Sequence, residues 1–258
     1  MTLVMGILNV TPDSFSDGGR YVDPGAASER AFAMVEEGAG VIDIGAESTR
    51  PGFTALDPDT EWQRLKPVLA RLCGKLSVPI SVDTYHAQTA LQAAEMGVEI
   101  INDVSAAADP EMARTVRETG LQYVYMHNRT GIEPSLTVDI FLAEIRYGID
   151  RLLQRGVKQS QLIVDPGVGF AKTQAQNLEC IREIDKFRGL GYPVLLGTSR
   201  KRVIGNVLGL PVNERLEGSL ATVAYAVAQG VEMVRVHDVR ETVRLCRMME
   251  AIVHASGA

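Results

Sequence analysis

Residues 79–104, PISVDTYHAQTALQAAEMGVEIINDV, contain two short apolar runs separated by one helical pattern. The runs Pro79–Val82 and Glu99–Ile101 are a few residues long and almost wholly apolar, as strands buried on both faces of a parallel sheet are. The stretch Ala87–Glu95 has a helical pattern, and Gly97 follows it at a position where helices commonly end. The segment therefore predicts a strand, a crossover helix and a parallel strand.

The same alternation continues along the whole chain. Further strands are predicted at Leu3–Leu8, Gly40–Ile44, Gln122–Met126, Leu162–Val164, Pro193–Leu196 and Met233–Val236. Further helices are predicted at Ala26–Glu37, Thr60–Leu72, Glu111–Glu118, Ile140–Arg155, Leu178–Phe187, Leu216–Gln229 and Glu241–Val253. Eight strands that are each followed by a helix, in about 250 residues, are typical of an α/β protein with a (β/α)8 TIM barrel. An open doubly wound sheet has the same periodicity and stays an alternative.

The composition limits the class of protein. The chain has 258 residues, with 26 Lys and Arg against 32 Asp and Glu, and this net charge of −6 argues against a nucleic-acid partner. Hydrophobic residues make up 46% and charged residues 22%, which is typical of a globular protein. We find no linker-like change in composition and therefore expect one domain over residues 1–258.

The sequence also predicts where the protein works. No apolar run approaches the roughly 18 residues that a membrane span needs, and the N-terminus has no signal-peptide pattern. The three cysteines are widely spaced and odd in number, which fits neither a disulfide framework nor a zinc site. We therefore expect a soluble protein of the reducing cytoplasm that has no membrane partner.

Polar side chains follow every one of the eight predicted strands. They are Asn9, Glu47–Arg50, Asp83, Asn102 with Asp103, His127 with Asn128, Asp165, Ser199–Lys201, and Arg235 with His237. In a barrel of this kind the chemistry lies at the C-terminal ends of the strands. The recurrence of polar groups at every strand end therefore favours one shared site over eight separate structural roles.

One part of this site has the chemistry of a heterocycle pocket. Asp83, Asn102 and Asp165 supply hydrogen-bond acceptors, and the amide of Asn102 also donates. A carboxylate that accepts two parallel N–H bonds matches the aminopyrimidinone edge that guanine and pterins share. Lys201 can donate to a ring oxygen or nitrogen, and Arg235 supplies a flat cation that stacks on a heterocycle.

The other part of the site is expected to bind an anion. Its donors suit a phosphate or a diphosphate, and they are Asn9, Arg50, Arg235 and His237. The loop at residues 11–19 is glycine-rich and has no helical pattern, which is typical of a lid or a binding loop. Two interpretations of Asp13 and Asp17 remain open, since they can cap turns or coordinate Mg²⁺ together with a diphosphate.

Seven blocks of the sequence resemble, in register, the signatures of the dihydropteroate synthase family. They are NVTPDSFSDGG at 9–19, DIGAESTRPG at 43–52, SVDT at 81–84, INDV at 101–104, DPGVGF at 165–170, TSRK at 198–201 and VRVH at 234–237. The resemblance covers essentially the whole chain. Members of this family join 6-hydroxymethyl-7,8-dihydropterin diphosphate to p-aminobenzoate, which yields 7,8-dihydropteroate and diphosphate in folate biosynthesis.

The resemblance implies a role for each candidate residue. It implies catalytic roles for Lys201, Asp83, Asp165 and Asp13. It implies a pterin site of Asp83, Asn102, Asp165, Lys201 and Arg235, and a diphosphate site of Asn9, Arg50, Arg235 and His237. It further implies a Mg²⁺ site of Asn9, Asp13 and Asp17, and a p-aminobenzoate pocket of Phe15, Thr49, Pro51, Phe170, Lys201 and Arg202. Arg202 stands where the family often has serine.

The resemblance also implies a mechanism and partners. The reaction is expected to be dissociative and Mg²⁺-dependent, so that the bond to diphosphate breaks before the amine attacks. Sulfonamides are expected to compete with p-aminobenzoate, and the chain is expected to form a homodimer.

Two other functions stay open at this point. A pterin-binding methyltransferase domain would share Asp83, Asn102 and Asp165. Residues 13–15 and 50–51 argue against it, because methyl transfer needs neither a diphosphate site nor an aminobenzoate site. A non-catalytic pterin-binding paralogue would share all the motifs and differ only in an assay.

Overall fold

The computed structural model describes residues 2–10, 23–46 and 56–255, and within them eight parallel strands form a barrel. The strands are β1 (Leu3–Asn9), β2 (Val41–Gly45), β3 (Ile80–Asp83), β4 (Ile100–Asp103), β5 (Gln122–Met126), β6 (Leu162–Asp165), β7 (Leu195–Leu196) and β8 (Met233–Val236). Hydrogen-bonded neighbours follow the order β6-β5-β4-β3-β2-β1-β8-β7. A parallel bridge between Val164 and Val194 joins β6 to β7. The predicted barrel is confirmed, and the open-sheet alternative is wrong.

Helices surround the barrel in the described part of the chain. They are α1 (Pro24–Glu36), α2 (Pro58–Leu72), α3 (Ala87–Glu95), α4 (Met112–Thr119), α5 (Val138–Gln154), α6 (Gln174–Arg182), α7 (Ile184–Arg188), α8 (Arg202–Leu208), α9 (Leu216–Ala228) and α10 (Val239–Val253). Helices α1 and α2 begin two residues before the predicted starts, directly after Asp23 and Asp57, whose carboxylates each accept a backbone N–H over 2.9 Å. Among the helices described, none is both long enough and apolar enough to cross a bilayer.

The structure corrects two of the predicted elements and adds one. The predicted helix Leu178–Phe187 is wrong, because α6 ends and α7 begins around Glu183, whose ψ of 30° is not helical. Buried apolar residues keep helical spacing across this break, so the pattern conceals it. The strand predicted at Pro193–Leu196 is shorter, since only Leu195–Leu196 form β7. Helix α8 was not predicted, because its seven residues are too few for a clear period.

Apolar side chains fill two separate regions. The larger core lies between the barrel and the helices and includes Leu69, Ile101, Phe141 and Phe187. A smaller cluster comes from the alternate, inward-facing positions of the strands: Met5, Val41, Ile100, Val124, Ile163, Leu195 and Met233. Because side chains alternate along a strand, the residue two positions after each of these also faces the interior, nearer to the C-terminal end of the barrel.

One close contact between the barrel and a helix depends on a glycine. A Cβ added at Gly148 in α5 would lie 1.9 Å from the hydroxyl oxygen of Tyr125 in β5 and 2.3 Å from its Cζ. Tyr125 is 7% exposed and belongs to the core between the barrel and the helices. Only a residue without a side chain lets α5 pack this close to β5.

We therefore predict that Gly148→Ala destabilises the protein, although alanine is the better helix former by about 1 kcal/mol. Overpacking of this kind costs about 1–3 kcal/mol, and urea unfolding followed by circular dichroism measures it. Tyr125→Leu removes the ring atoms that the new methyl group would meet. The double variant should therefore lose less stability than the two single variants together, and strict additivity would contradict this account.

Candidate active site

Along four strands the inward-facing side chains change from apolar to polar within two residues. The change runs from Val41 to Asp43, from Ile100 to Asn102, from Ile163 to Asp165 and from Met233 to Arg235. In each pair the second residue lies nearer to the C-terminal end of its strand. The barrel thus has an apolar floor and a polar layer above it, which is where barrel enzymes place their chemistry.

Arg235 lies between two carboxylates from neighbouring strands. Its Nε donates to Oδ2 of Asp43 over 2.6 Å, and its Nη2 donates to Oδ2 of Asp83 over 2.7 Å. The same Asp43 oxygen accepts a 3.3 Å hydrogen bond from Nδ2 of Asn102. The structure therefore brings three residues predicted to bind the pterin into one hydrogen-bonded group.

Asp43 belongs to this group but was not among the predicted site residues. It is fully buried in the middle of β2, a strand whose five residues are all buried. A charge in such a place requires a partner, because burial without one is costly. An acidic residue inside an otherwise apolar strand was therefore the signal that could have identified Asp43.

The two carboxylates share a single guanidinium, and this affects the charge of Asp83. Burial raises the pKa of Asp83 to about 7, and the Arg235 guanidinium opposes the rise. The nearby carboxylate of Asp43 adds to the rise, because a second negative charge at this place is unfavourable. Asp83 is therefore poised to change its charge near neutral pH.

Two polar atoms beside this group have no hydrogen-bond partner among the described residues. They are Oδ1 of Asp43 and Oγ of Ser81, which are buried and come from paired positions of β2 and β3. Buried polar groups in folded proteins are nearly always hydrogen-bonded. The chemistry of this region therefore fits a polar ligand that reaches into the barrel.

Asp165 and Lys201 form the opposite wall of the site. Asp165 Oδ1 accepts a 2.7 Å hydrogen bond from the backbone N–H of Gly167, and Lys201 Nζ donates to the carbonyl oxygen of Val168 over 2.5 Å. A Cβ added at Gly197 would lie 3.8 Å from Lys201 Nζ and 3.9 Å from Asp165 Oδ2. The missing side chain at Gly197 therefore leaves the ammonium and the carboxylate facing the same space.

Burial shifts the pKa values of both groups toward neutrality. It lowers the pKa of Lys201 to about 8, although the carboxylate of Asp165 opposes the change. It raises the pKa of Asp165, and here Lys201 opposes the change. Pairs of ionisable groups with such shifts are characteristic of functional sites.

The structure also places Asn9 and His237 at the strand ends. A Cβ added at Gly45 would lie 3.8 Å from both Asn9 Oδ1 and Asp83 Oδ2, so Asn9 borders the polar layer. His237 Nδ1 lies 3.0 Å from Oγ of Ser199. A cavity of about 310 Å³ opens beside His237, and the guanidinium-bearing residues on its wall are Arg30, Arg200 and Arg240. The same wall carries Glu37, Asp238 and Glu241, and the three arginines pair with the first two of these carboxylates, so the anion site stays a prediction.

The remaining predicted residues lie at the edge of the site or outside the described residues. The centroid of the Phe170 ring lies 4.8 Å from Lys201 Nζ, so the structure brings these two predicted residues together. Arg202 is exposed at the first position of α8. Six predicted residues lie outside the described ranges, namely Asp13, Phe15, Asp17, Thr49, Arg50 and Pro51.

This arrangement defines the class of protein as a (β/α)8 barrel with a charged, hydrogen-bonding site at the C-terminal ends of its strands. The family model described as pterin binding enzyme matches residues 5–237. The dihydropteroate synthase of Bacillus subtilis is 47% identical over 257 residues, which are 99% of this chain and 90% of the Bacillus protein. The chain therefore belongs to the pterin binding enzyme family, among its dihydropteroate synthases.

Two solved structures agree with this assignment. The dihydropteroate synthase of Clostridium difficile, determined in the presence of pteroic acid, has a TM-score of 0.92 and 43% identity. The alignment covers 97% of this chain and 96% of that one. The Yersinia pestis dihydropteroate synthase in complex with a sulfonamide drug has a TM-score of 0.93 and 35% identity, with 99% and 95% coverage.

We predict that Asp83→Asn changes the pH dependence of stability. The raised pKa means that folded Asp83 keeps a proton between its usual pKa of 3.8 and about 7, whereas the unfolded chain has lost it. The free energy of unfolding therefore falls as pH rises from 3.8 through about 7, by at most about 1.4 kcal/mol per pH unit.

Urea unfolding at pH 5, 6 and 7 measures this effect as the difference between wild type and Asp83→Asn. The wild type should lose stability relative to the variant as pH rises. Asp150→Asn, at an exposed carboxylate on α5, is the matched control. Parallel curves for wild type and Asp83→Asn would contradict the assignment of a raised pKa.

Proposed function

We propose that the protein condenses 6-hydroxymethyl-7,8-dihydropterin diphosphate with p-aminobenzoate, forming 7,8-dihydropteroate and releasing diphosphate in folate biosynthesis. The observation that carries this proposal is that Asp165 and Lys201 face the same space around Gly197. Beside this space lies the hydrogen-bonded group of Asp43, Asp83 and Arg235. The 47% identity to a dihydropteroate synthase supports the same reaction. The methyltransferase and paralogue alternatives have no observation in their favour.

In this proposal the polar layer binds the pterin. Asn102 and Asp165 supply an amide and a carboxylate from inward-facing positions, and Lys201 donates to the ring. Arg235 is already held by Asp43 and Asp83, so its planar group is fixed before the heterocycle arrives. A cation fixed in advance loses little entropy when a ring stacks on it.

We propose that the reaction is dissociative. The C–O bond to diphosphate breaks first, its electron pair leaves with the diphosphate, and a pterin-methyl cation remains. The carboxylates of Asp83 and Asp165 stabilise this cation, because fixed charges in a buried site act strongly on a developing charge. The neutral arylamine then forms the C–N bond with its lone pair and loses a proton to water. The amine is already unprotonated at neutral pH, so the step requires no dedicated base.

We propose that a divalent cation binds beside the diphosphate. Asn9 offers a side-chain oxygen next to Asp83, and Asp13 and Asp17 would add carboxylate oxygens, which are the ligands that Mg²⁺ prefers. Among residues 2–10, 23–46 and 56–255, no group of three His, Cys, Asp or Glu residues could hold a metal. Held by these oxygens, Mg²⁺ would supply positive charge beside the departing diphosphate. Arg50 and His237 would bind the oxygens of the diphosphate.

The aminobenzoate pocket in this proposal borders the pterin site at Lys201. Phe170 supplies one wall, and its ring lies close enough to the Lys201 ammonium for a cation–π contact. The other proposed walls are Phe15, Thr49, Pro51 and Arg202. The Yersinia pestis relative binds a sulfonamide drug, which supports competition between sulfonamides and p-aminobenzoate in this pocket.

We propose a cytoplasmic location for this chemistry. Cys73, Cys180 and Cys246 are all free in the structure. Free thiols are the usual state in a reducing compartment.

We also propose that the chain forms a homodimer. Exposed apolar side chains occur on three consecutive helices, namely Val207 and Leu208 on α8, Tyr225 on α9, and Met248, Ile252 and Val253 on α10. Helices α9 and α10 pack against each other, so two of these three helices are neighbours on the surface of the barrel. We predict a sedimentation-equilibrium mass of twice 28.0 kDa, reduced toward 28.0 kDa by Met248→Glu. A monomeric wild type would contradict the proposal.

The test of the reaction is diphosphate release from the dihydropterin substrate with Mg²⁺, in the presence and absence of p-aminobenzoate. The proposal expects dihydropteroate as a product and release that depends on the amine. A parallel assay with a chelator tests the metal. Tight pterin binding without any turnover would overturn the proposal in favour of a non-catalytic paralogue.

We predict that Lys201→Ala and Asp165→Ala each abolish turnover without unfolding the protein. The physical reason is that each removes one of the two charged groups that face the reacting ring. Steady-state kinetics together with circular dichroism measure the two properties separately. Lys186→Ala, at an exposed lysine on α7, is the control and should retain full activity. A folded Lys201→Ala variant with normal kcat would show that the site is assigned to the wrong residues.

A further inference from the structure

Lys172 is a buried lysine that the reaction described above does not use. It is 6% exposed and lies in the segment between β6 and α6. Its Nζ contacts Nδ1 of His127 at 2.9 Å, and the carbonyl oxygens of Gly167 and Phe170 at 3.0 Å and 3.2 Å. The carbonyl oxygen of His127 is a fourth acceptor at 3.4 Å. An ammonium has three donors, so all of them are satisfied here without a direct carboxylate partner.

The contact with His127 determines the protonation of the imidazole. Because an ammonium can only donate, Nδ1 of His127 accepts, and the ring proton of the neutral imidazole lies on Nε2. Nε2 is 2.8 Å from Oε2 of Glu144, to which it donates. Burial, with the Lys172 charge added, lowers the pKa of His127 to about 4, which agrees with a neutral ring. Arg129 pairs with the other carboxylate oxygen of Glu144.

The backbone that Lys172 holds is the backbone that touches the active site. Within residues 167–170, the N–H of Gly167 donates to Asp165 and the carbonyl of Val168 accepts from Lys201. The ring of Phe170 faces the Lys201 ammonium in the same segment. Lys172 therefore binds the carbonyls on either side of the one that Lys201 uses.

The geometry of this segment shows that it needs to be held. Gly167 has a φ of 68°, and a Cβ added there would lie 1.9 Å from the carbonyl oxygen of His127. Ala171 has a φ of 43°, in the left-handed region that disfavours a residue with a Cβ. Backbone in such conformations persists only where surrounding contacts determine it.

We propose that Lys172 is a positioning residue that sets the backbone of residues 167–170, and through it the placement of Lys201 and Phe170 toward the arylamine. This inference rests on the proposed function only for the identity of the amine. The Lys172–His127–Glu144 chain anchors the segment to the exit of β5 and to α5. Of the proposed pterin-binding groups, Asp165 and Lys201 bond to this segment, whereas the hydrogen bonds of Asp83 and Asn102 among the described residues go to other strands.

The experiment compares Lys172→Met with Lys172→Arg, which keeps a cation in the same place. The methionine variant should lower kcat/KM for p-aminobenzoate about 10–100-fold, because small misplacements of reacting groups have effects of this size. Its KM for the dihydropterin diphosphate should change by a smaller factor, since Asp83, Asn102 and Arg235 also bind that substrate and their hydrogen bonds do not involve residues 167–170. The arginine variant should recover a substantial part of the lost activity.

Controls separate positioning from a general loss of stability. Leu69→Ala makes a cavity in the fully buried core at α2 and should lower the free energy of unfolding. It should affect the kinetics for p-aminobenzoate and for the dihydropterin diphosphate equally. Glu144→Gln alters the partly exposed residue of the Lys172–His127–Glu144 hydrogen-bonded series. It therefore tests the positioning role if Lys172→Met does not fold. It should shift the kinetics in the same direction by a smaller factor. The deciding quantity is the effect on kcat/KM for p-aminobenzoate relative to the effect on KM for the dihydropterin diphosphate. If this ratio is unchanged in a folded Lys172→Met variant, the inference is overturned. If Lys172→Met does not fold, an unchanged ratio in Glu144→Gln overturns it.

A measurement without turnover keeps this inference distinct from the proposed function. Amide hydrogen exchange over residues 166–173 should become faster in Lys172→Met and stay unchanged in Leu69→Ala, because the two carbonyls lose their anchor. If wild type makes no dihydropteroate, the proposed reaction fails, and the exchange data still decide the positioning role. Equal exchange in wild type and in a folded Lys172→Met would overturn that role whatever the activity.

Discussion

The polar layer depends on one guanidinium that two buried carboxylates share. Without Arg235, the charges of Asp43 and Asp83 would lie within the barrel with no cation beside them, which is a costly arrangement. With it, both carboxylates have a cationic partner in the polar layer, and this partner opposes the rise in the pKa of Asp83 that burial causes. The same interaction links three strands, since Asp43, Asp83 and Arg235 come from β2, β3 and β8. Binding chemistry and the closure of the barrel are therefore supported by the same contact.

The opposite wall is built on a different principle. Lys201 and Asp165 face each other across Gly197, and the backbone of residues 167–170 supplies their other hydrogen bonds. That backbone is in turn held by Lys172, which is buried behind it. One half of the site is therefore fixed by a direct ion pair between side chains, and the other half by a lysine that acts on main-chain carbonyls.

Much of the fold was predictable because it depends on local patterns. The strand Met233–Val236 and the helix Ala87–Glu95 lie where apolar periodicity predicts them. The break between α6 and α7 was not predictable, since apolar residues keep helical spacing through Glu183. The candidate residues Asp83, Asn102, Asp165 and Lys201 were predicted from their positions at strand ends. Asp43 was missed although an acidic residue inside an apolar strand is a local signal, and Lys172 was missed because its partner His127 is distant in sequence.

The sequence by itself determined the alternation of strands and helices and the presence of a polar residue at every strand end. These follow from side-chain periodicity and from residue chemistry, which act over a few neighbours. Only the tertiary structure decided which charges meet. Arg235 is separated from Asp43 by 192 positions and from Asp83 by 152, and only the closure of the barrel brings their side chains into contact. The physical reason is that two buried charges pair only when the fold brings their side chains within hydrogen-bonding distance, and the order of residues along the chain does not specify that distance.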